Sequence, residues 1–293
     1  MNNKKTVVGI GEALFDVFPE GRKIGGAPAN FAYHATLQGC DGIAVSAVGR
    51  DALGDEIESI FKASGLNCRL QRSELPTGTV QVSVSPAGQP SYEIKENVAW
   101  DDIRVDDALA ALAPKTDCVC FGSLAQRSAT SRESIRSFIA AMPAGAMKVF
   151  DINLRQHYYS PELLRESLDL CNILKINDDE LEIISTMFAV EGDDEKRARA
   201  IMERFGLRAL ILTCGTRGSY VFAAGGQTSF LPTPVVEVVD TVGAGDSFTG
   251  AFVASALAGR SIAEAHRRAV DVSAFVCTRS GAMPDDLPDD LRG

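Results

Sequence analysis

The chain has 293 residues, of which 45% are hydrophobic and 23% are charged, and its formal net charge is -10. This length and composition predict one large core, or a core with a small appendage, and exclude a chain that is disordered throughout. A surface that binds duplex nucleic acid needs clustered Lys and Arg. The sequence has no such run, so we expect no nucleic-acid partner.

The cysteines and the N-terminus bear on the cellular compartment. The seven cysteines are odd in number, lie mostly in apolar runs and form no CxxC pair, which is typical of reduced core residues in a cytosolic protein. No signal-peptide core follows the N-terminus, and no stretch reaches the ~18 apolar residues of a membrane span. The sequence therefore predicts a cytoplasmic protein with no membrane partner.

Short apolar runs alternate along the chain with helical patterns. The predicted strands are Val7–Gly11, Ile43–Val48, Cys118–Phe121, Lys148–Ile152, Ile173–Ile176 and Ala209–Thr213. The predicted helices are Ala29–Gln38, Leu53–Ala63, Ser131–Ala140, Pro161–Leu170, Asp179–Phe188, Glu195–Phe205, Asp246–Ala258 and Ile262–Cys277. Because near-continuous apolar strands alternate with helices, the sequence predicts an α/β fold in which helices flank both faces of a mostly parallel central sheet.

One region breaks this alternation. Thr79–Ser85 and Ser91–Lys95 alternate apolar and polar residues, and the Gly-containing turn Pro86–Pro90 separates them, which predicts a β-hairpin. An isolated hairpin is only marginally stable, so we expect it to join the extended segment Ala13–Phe18 in a small β-sheet lid. The prediction is a single domain over residues 1–293, with a lid formed by about residues 12–24 and 78–100.

The strongest chemical signal is Asp240–Gly250, which follows a β-like run of valines at Val235–Val239 and opens a helix. Its string Gly243-Ala244-Gly245 has little side-chain bulk, so an anion can approach the backbone N–H groups at the positive end of that helix. Asp246, in the first turn, would orient a hydroxyl nucleophile beside this anion hole and take its proton during phosphoryl transfer. The alternative is an ordinary glycine turn in which Asp246 caps the helix.

A second signal opens another helix at Gly25-Gly26-Ala27-Pro28-Ala29-Asn30. The glycines let the backbone approach a ligand, and the Asn30 side chain offers both a donor and an acceptor. Taken alone, a tight turn before a helix explains this string equally well.

Together the two strings resemble the paired signatures of the ribokinase/PfkB family of carbohydrate kinases, with Gly39 and Gly49 at the family's spacing. The resemblance runs from Val7 to Pro284, and within the family the chain is most similar to bacterial fructokinases. The strings that carry this similarity are GEALFDVFPEG, IGGAPANFAYH, ENVAWD, FGSLAQRS, DINLR and LKINDDEL. The resemblance implies a ribokinase-like fold, ATP and Mg2+ as cofactors, and the phosphorylation of D-fructose to fructose 6-phosphate.

The resemblance also assigns roles to individual residues. It implies that the sugar is bound by Asp16, Gly26, Asn30 and Arg155, and the nucleotide by Asn177, Thr213, Gly215 and Gly218. Glu180 would organise Mg2+ through water, which suits an ion that retains several waters. Three of these positions also allow a simpler role: a carboxylate bonded to backbone for Asp16, a surface ion pair for Arg155 and helix capping for the Asn177–Glu180 pair.

A monovalent-cation site, occupied by K+ in the family, would lie beside the anion hole. The resemblance implies that several of its ligands are backbone oxygens, and it places the site on Asp240, Val242, Val276, Arg279, Gly281 and Asp285. Family members often carry a small hydroxyl residue where Asp285 stands, so this departure leaves the geometry of the site open.

Several functional alternatives follow from the same residues. Arg155 could pair with a substrate carboxylate, so a 2-keto-3-deoxygluconate kinase or another small-sugar kinase of the family is the first alternative. A non-catalytic sugar-binding regulator is the alternative from another class, and the intact Asp246 argues against it. The apolar face of the lid hairpin could pack over the sugar or against a second lid, so a homodimer through the lid is a further expectation.

Overall fold

The computed structural model describes residues 4–84 and 90–293. Within these ranges the strands are β1 (Thr6–Ile10), β2 (Leu14–Phe18), β3 (Gly21–Gly25), β4 (Asp41–Gly49), β5 (Asn67–Ser73), β6 (Gly78–Val84), β7 (Pro90–Ile94), β8 (Cys118–Phe121), β9 (Met147–Asp151), β10 (Ile173–Asn177), β11 (Ala209–Thr213), β12 (Ser219–Ala223) and β13 (Thr228–Leu231). The α-helices are α1 (Ala27–Leu37), α2 (Ala52–Ala63), α3 (Asp107–Leu112), α4 (Ala129–Ala140), α5 (Pro161–Leu170), α6 (Asp178–Met187), α7 (Asp194–Phe205), α8 (Ala244–Leu257) and α9 (Ile262–Cys277).

The larger sheet confirms the predicted α/β class. Its described strands follow the order β13-β12-β11-β10-β9-β8-β1-β4-β5, and every neighbouring pair from β11 to β5 is parallel. The strands β12 and β13 extend one edge in antiparallel fashion. Because successive side chains on a strand point to opposite faces, Val7 and Val8 of β1 belong to two different cores. The core around Val8 includes side chains from α3 to α7, and the core around Val7 includes side chains from α1, α2, α8 and α9, so helices cover both faces.

A smaller sheet of four described strands has the order β3-β2-β6-β7. The strands β6 and β7 pair antiparallel, as expected for the predicted hairpin, and β2 pairs parallel with β6. The predicted turn Pro86–Pro90 lies outside the described residues except for Pro90. Val80, Val82 and Ile94 are buried in the core that contains Trp100, whereas Tyr92 is 55% exposed. The role of this sheet as a lid stays a prediction.

The sequence patterns missed the edges of both sheets. The edge strands β3, β5 and β13 were not predicted, and the burial pattern of β5 shows why, since most of its residues are only partly covered. The strand β12, which lies between β11 and β13 and is mostly buried, was missed as well. An edge strand needs no continuous apolar run, because one side or one face meets solvent. Conversely, the valines of Val235–Val239 form no strand, and Val235, Val238 and Val239 are exposed.

The seven cysteines all carry free thiols, and burial raises the pKa of the Cys118 and Cys120 thiols well above its usual value. In the part of the chain that the structure describes, no helix combines the length and apolar character needed to cross a membrane.

Candidate active site

Several of the predicted site residues lie at the carboxyl ends of the parallel strands of the larger sheet, among them Asn177 at the end of β10 and Thr213 at the end of β11. A small cavity marks the place where the start of α1 meets the ends of β8 and β9, and it is lined by Ala27, Pro28, Phe31, Cys120, Phe121, Gly122 and Asp151. The first turns of helix α8 lie at the same end of the strands, because the Thr249 hydroxyl of α8 lies 3.4 Å from Asp151 Oδ2 at the end of β9. Ligands of open α/β sheets bind in the crevice at this end of the strands.

The start of α8 has the geometry expected of an anion hole. Gly243 is the N-cap and has φ 77°, in the left-handed region, and a Cβ there would lie 2.5 Å from the Cβ of Ala282. The helix begins at Ala244, two residues before the predicted start, so Ala244, Gly245 and Asp246 form its first turn. Backbone N–H groups in a first turn lack acceptors within the helix, and the helix dipole makes this end positive. The Ala244 N–H already donates to the Thr241 carbonyl oxygen at 3.3 Å, whereas the Gly243 and Gly245 N–H groups have no partner among the described residues and can hold an anion.

Asp246 lies within reach of the second motif. The Asn30 Nδ2 donates a hydrogen bond of 2.7 Å to Asp246 Oδ2, so the two glycine-containing strings meet although 216 residues separate these side chains. Burial raises the pKa of Asp246 to about 6, the charge of Asp151 acts in the same direction, and the Asn30 hydrogen bond opposes the shift. A carboxylate in this range accepts a proton at neutral pH more readily than an exposed one.

Arg155 links the other residues predicted to bind sugar to Asp246, because its charge lowers the pKa of both Asp16 and Asp246. Asp16 is on β2, and a Cβ at Gly25 would lie 2.8 Å from Asp16 Oδ2, so the glycine leaves room for this carboxylate. Gly26 has φ 123° and abuts the backbone of Glu12. Burial raises the pKa of Asp16, while the charge of Arg155 lowers it. Arg155 makes no ion pair with a residue in the ranges 4–84 and 90–293, so the surface ion pair considered for it has no partner there.

Glu12 is a candidate site residue that the sequence analysis did not single out. It lies two residues after the end of β1 and is 4% exposed, and burial raises the pKa of its carboxyl to about 7. Arg155 lowers this pKa and Asp246 raises it, so both groups lie close to Glu12. Its Oε2 has no hydrogen-bond partner among the described residues. The available signal was its place at the carboxyl end of a buried strand.

Asn177 and Glu180 form a reciprocal cap at the start of α6. The Glu180 N–H donates to Asn177 Oδ1 at 2.8 Å, and the Asn177 N–H donates to Glu180 Oε2 at 2.9 Å. The other oxygen, Glu180 Oε1, accepts from the Leu154 N–H at 2.9 Å, which fixes the segment before Arg155. Helix capping therefore describes the observed contacts. No cluster of three metal-ligating side chains occurs in the described ranges. Each Glu180 oxygen already accepts one backbone N–H, and its second lone pair could accept from a water of a Mg2+ ion held mainly by water and phosphate.

The predicted nucleotide residues lie at the end of β11. Thr213 is directly opposite Asn177 in the parallel register of β10 and β11. Gly215 and Gly218 bound a short 3-10 turn with φ 55° and 127°, and a Cβ at Gly218 would lie 2.5 Å from the Leu231 carbonyl oxygen. Close packing against β13 therefore accounts for Gly218, and the open space around Gly215 leaves its backbone accessible.

Asp240 links three of the positions predicted for the monovalent-cation site. Its Oδ1 accepts from the Val242 N–H at 3.1 Å and its Oδ2 from the Gly281 N–H at 3.0 Å, so three of the predicted positions are adjacent. The Lys23 ammonium lies 3.1 Å from the same Oδ2. Val276 is fully buried at the end of α9. The side chains of the other two predicted positions do not join this group. Arg279 pairs with Asp286, and Asp285 is exposed.

A family model for the pfkB family of carbohydrate kinases matches residues 16–290. The chain belongs to this family. It is 28% identical to "Probable fructokinase-3" of Arabidopsis thaliana, over 98% of this chain and 90% of that protein. It is also 28% identical to "Aminoimidazole riboside kinase" of Salmonella typhimurium, over 95% of this chain and 92% of that protein.

A solved structure shares the fold. The fructokinase from Xylella fastidiosa, determined with bound ATP, superposes with a TM-score of 0.84 and 24% identity, over 97% of this chain and 95% of that one. The ribokinase-like architecture expected from the sequence is therefore confirmed for this pfkB carbohydrate kinase.

Proposed function

We propose that this carbohydrate kinase transfers the terminal phosphoryl group of ATP to D-fructose and forms fructose 6-phosphate. The observation that carries the proposal is the 2.7 Å hydrogen bond from Asn30 to Asp246 at the start of α8. It joins the predicted sugar-binding string to the predicted base beside the anion hole. The fructokinase names of the relatives agree with this substrate, at an identity that suggests it without deciding it.

Asp246 acts as the base. Its carboxylate accepts the proton of the attacking hydroxyl, and the N–H groups of Gly243 and Gly245 bind the oxygens of the transferring phosphoryl group. The Ala244 N–H would join them by giving up its 3.3 Å hydrogen bond to the Thr241 carbonyl oxygen. Asn30 can position Asp246 and bind the sugar at the same time. Its Nδ2 donates to Asp246, while its Oδ1 is buried without a partner among the described residues and can accept from a sugar hydroxyl. Asp16, Gly26 and Arg155 complete the sugar contacts.

Thr213, Gly215, Gly218 and Asn177 bind the nucleotide. Mg2+, when bound near Asn177 and Glu180, neutralises charge on the phosphates. The chain's own contribution there is the reciprocal cap, which holds Glu180 and the amide of Leu154 in fixed positions. K+ would be held beside Asp240, where the Val242 and Gly281 backbones already meet.

The smaller sheet closes over the sugar in this proposal. Asp16 lies on β2 of that sheet, so closure would bring a sugar contact onto the bound substrate and exclude water. The exposed Tyr92 on β7 offers a contact for a second lid, and we propose a homodimer through this surface.

The second candidate is a kinase for an acidic sugar such as 2-keto-3-deoxygluconate. The observation that favours it is Arg155, which lies near Asp16 and Asp246 and is bonded only to the Leu154 carbonyl among the described residues. A guanidinium without a carboxylate partner can bind a substrate carboxylate through a bidentate pair of hydrogen bonds.

ADP release with a panel of sugars tests the proposal. The panel contains D-fructose, 2-keto-3-deoxygluconate, aminoimidazole riboside and a no-sugar control, and NMR identifies the phosphorylated hydroxyl. We expect the highest kcat/KM with D-fructose, and loss of turnover with retained sugar binding in Asp246→Asn. Unchanged turnover in that variant would refute the assigned base, and sugar binding without turnover by the unmodified chain would support a regulator instead.

A further inference from the structure

A buried ion pair lies beneath the start of α8. Lys175 on β10 and Asp151 on β9 are directly opposite each other in the parallel register, and Lys175 Nζ lies 3.2 Å from Asp151 Oδ1. The two side chains are only 10% and 7% exposed. The other carboxylate oxygen, Asp151 Oδ2, lies 3.4 Å from the Thr249 hydroxyl of α8. The pair is thus held between the sheet and the helix that carries Asp246.

The ammonium group lies against the anion-hole backbone. A Cβ added to Gly245 would be 2.9 Å from Lys175 Nζ, so the missing side chain makes room for this cation. A buried cation next to the positive end of a helix is unfavourable unless carboxylates compensate it. Asp151, Glu180 and Asp246 all contribute negative charge to the surroundings of Lys175.

Structural stability alone does not explain the pair. Replacing a buried ion pair with apolar residues of similar volume is often neutral or stabilising, so a pair at this position invites a functional explanation. The position of the pair supplies a functional explanation, because the Lys175 ammonium lies between the end of the sheet and the turn that contains the proposed base.

The charges that face Asp246 come from several elements. The charged or titratable groups among them are Glu12 after β1, Asp151 on β9, Arg155 in the following segment and Lys175 on β10, and the Cys120 thiol on β8 is neutral. Burial and Asp151 favour the protonated form of Asp246, whereas Lys175 and Arg155 favour the carboxylate. A base must be ionised to accept a proton.

We propose that Lys175 is a positioning residue whose fixed charge keeps Asp246 ionised at neutral pH, and that the neighbouring Asp151 opposes this effect. The inference rests on the proposed role of Asp246 as base. It gives the two members of one ion pair opposite effects on the ionisation of the same carboxyl group.

The test compares Lys175→Met, Asp151→Asn and the double variant, with Lys62→Met on the exposed face of α2 as a control for loss of a lysine. Two measurements are made on each folded protein. One is the pH profile of kcat/KM with the best sugar of the panel. The other is the 13C NMR titration of the aspartate carboxyls, in which the Asp246 signal is identified by its loss in Asp246→Asn.

We expect the midpoint of Asp246 to rise by about one pH unit in Lys175→Met, which corresponds to about a tenfold fall in kcat/KM below the midpoint. The pH midpoint of the Asp246 titration should fall in Asp151→Asn and stay unchanged in Lys62→Met. Shifts in the same direction for the two pair variants, or no shift in Lys175→Met, would overturn the proposal.

The double variant keeps the test decisive if Lys175→Met does not fold, because it leaves no unpaired charge. Its midpoint should lie above that of Asp151→Asn, and a midpoint equal to or below it would refute the inference. If no sugar of the panel is phosphorylated, the proposed function fails, and the NMR titration still decides the role of Lys175.

Discussion

The substitution Gly243→Ala tests whether the start of α8 requires a glycine. Gly243 has φ 77°, and a Cβ would lie 2.5 Å from Ala282 Cβ and 2.7 Å from its Cα. Gly259, after the same helix, has φ 78° with nothing within 4 Å of an added Cβ, so Gly259→Ala is a matched control. Both variants place a side chain in the left-handed region, and only one also meets a neighbour.

The expected costs follow from this difference. The left-handed conformation costs roughly 1–2 kcal/mol for a residue with a Cβ, and this cost is common to both variants. Overpacking against Ala282 adds about 1–3 kcal/mol for Gly243→Ala only. Displaced anion-hole amides should also lower kcat by about 10²- to 10³-fold, since one lost donor in such a site has this effect. Gly259→Ala should keep its kcat within about twofold, because its site lies beyond the far end of α8.

Urea unfolding and steady-state kinetics of the two variants measure both effects. Adding Ala282→Gly to Gly243→Ala should restore part of the lost stability, because it removes the clash with the side chain of residue 282 and leaves the clash with its backbone. Equal unfolding midpoints for the Gly243 and Gly259 variants, together with full turnover in both, would show that the turn is not packed as described.

Three further predictions rest on single interactions. Asn30→Ala removes the hydrogen bond that lowers the pKa of Asp246, so the acid limb of kcat/KM should move to higher pH, and an unmoved limb would contradict that interaction. The folded-state pKa of Glu12 is about 7, above its ordinary 4.5, so its contribution to stability is fully present below about pH 4.5 and is lost as the pH rises through 7. Glu12→Gln should remove a pH dependence of up to about 3 kcal/mol between urea unfolding at pH 5 and pH 8. Arg127→Met leaves Asp101 buried without its partner at 2.8 Å, and urea unfolding should show a loss of about 3–5 kcal/mol, far more than loss of an exposed pair.

The parallel core of the fold was predictable because its strands are apolar over most of their length. The strands β1, β8 and β10 are buried on both faces, so their side chains leave a local signal that needs no knowledge of the partner strand. The edge strands leave no such signal. The exposed valines at Val235–Val239 show the converse error, since a high β propensity without a neighbouring strand forms no sheet.

The site was predictable only where its chemistry is local. The proposed anion hole could be predicted because glycines and an aspartate lie close together in sequence at Gly243–Asp246. The pair formed by Lys175 and Asp151 could not, because 24 residues separate them and only the register of β9 against β10 brings them together. Glu12 was quoted within a motif without a role, since its environment depends on Arg155 and Asp246, which reach it from distant parts of the chain.

The meeting of the two motifs depends on the close approach of backbones around α1. Helix α1 carries Asn30, and its backbone lies against Gly9 of β1, Gly42 of β4 and Gly250 of α8. A Cβ at Gly250 would lie 2.8 Å from the carbonyl oxygen of Phe31, and Cβ atoms at the other two would clash with the carbonyl oxygens of Pro28 and Ala32.

Because protein interiors are close-packed, a methyl group at any of these positions would displace α1 instead of being absorbed. A displacement of about 1 Å would break the hydrogen bond from Asn30 to Asp246, because its donor–acceptor distance of 2.7 Å would then exceed the range of such bonds. The proposed base is thus positioned by the closeness of backbones on three separate elements, which is why a motif of eleven residues cannot by itself specify this site.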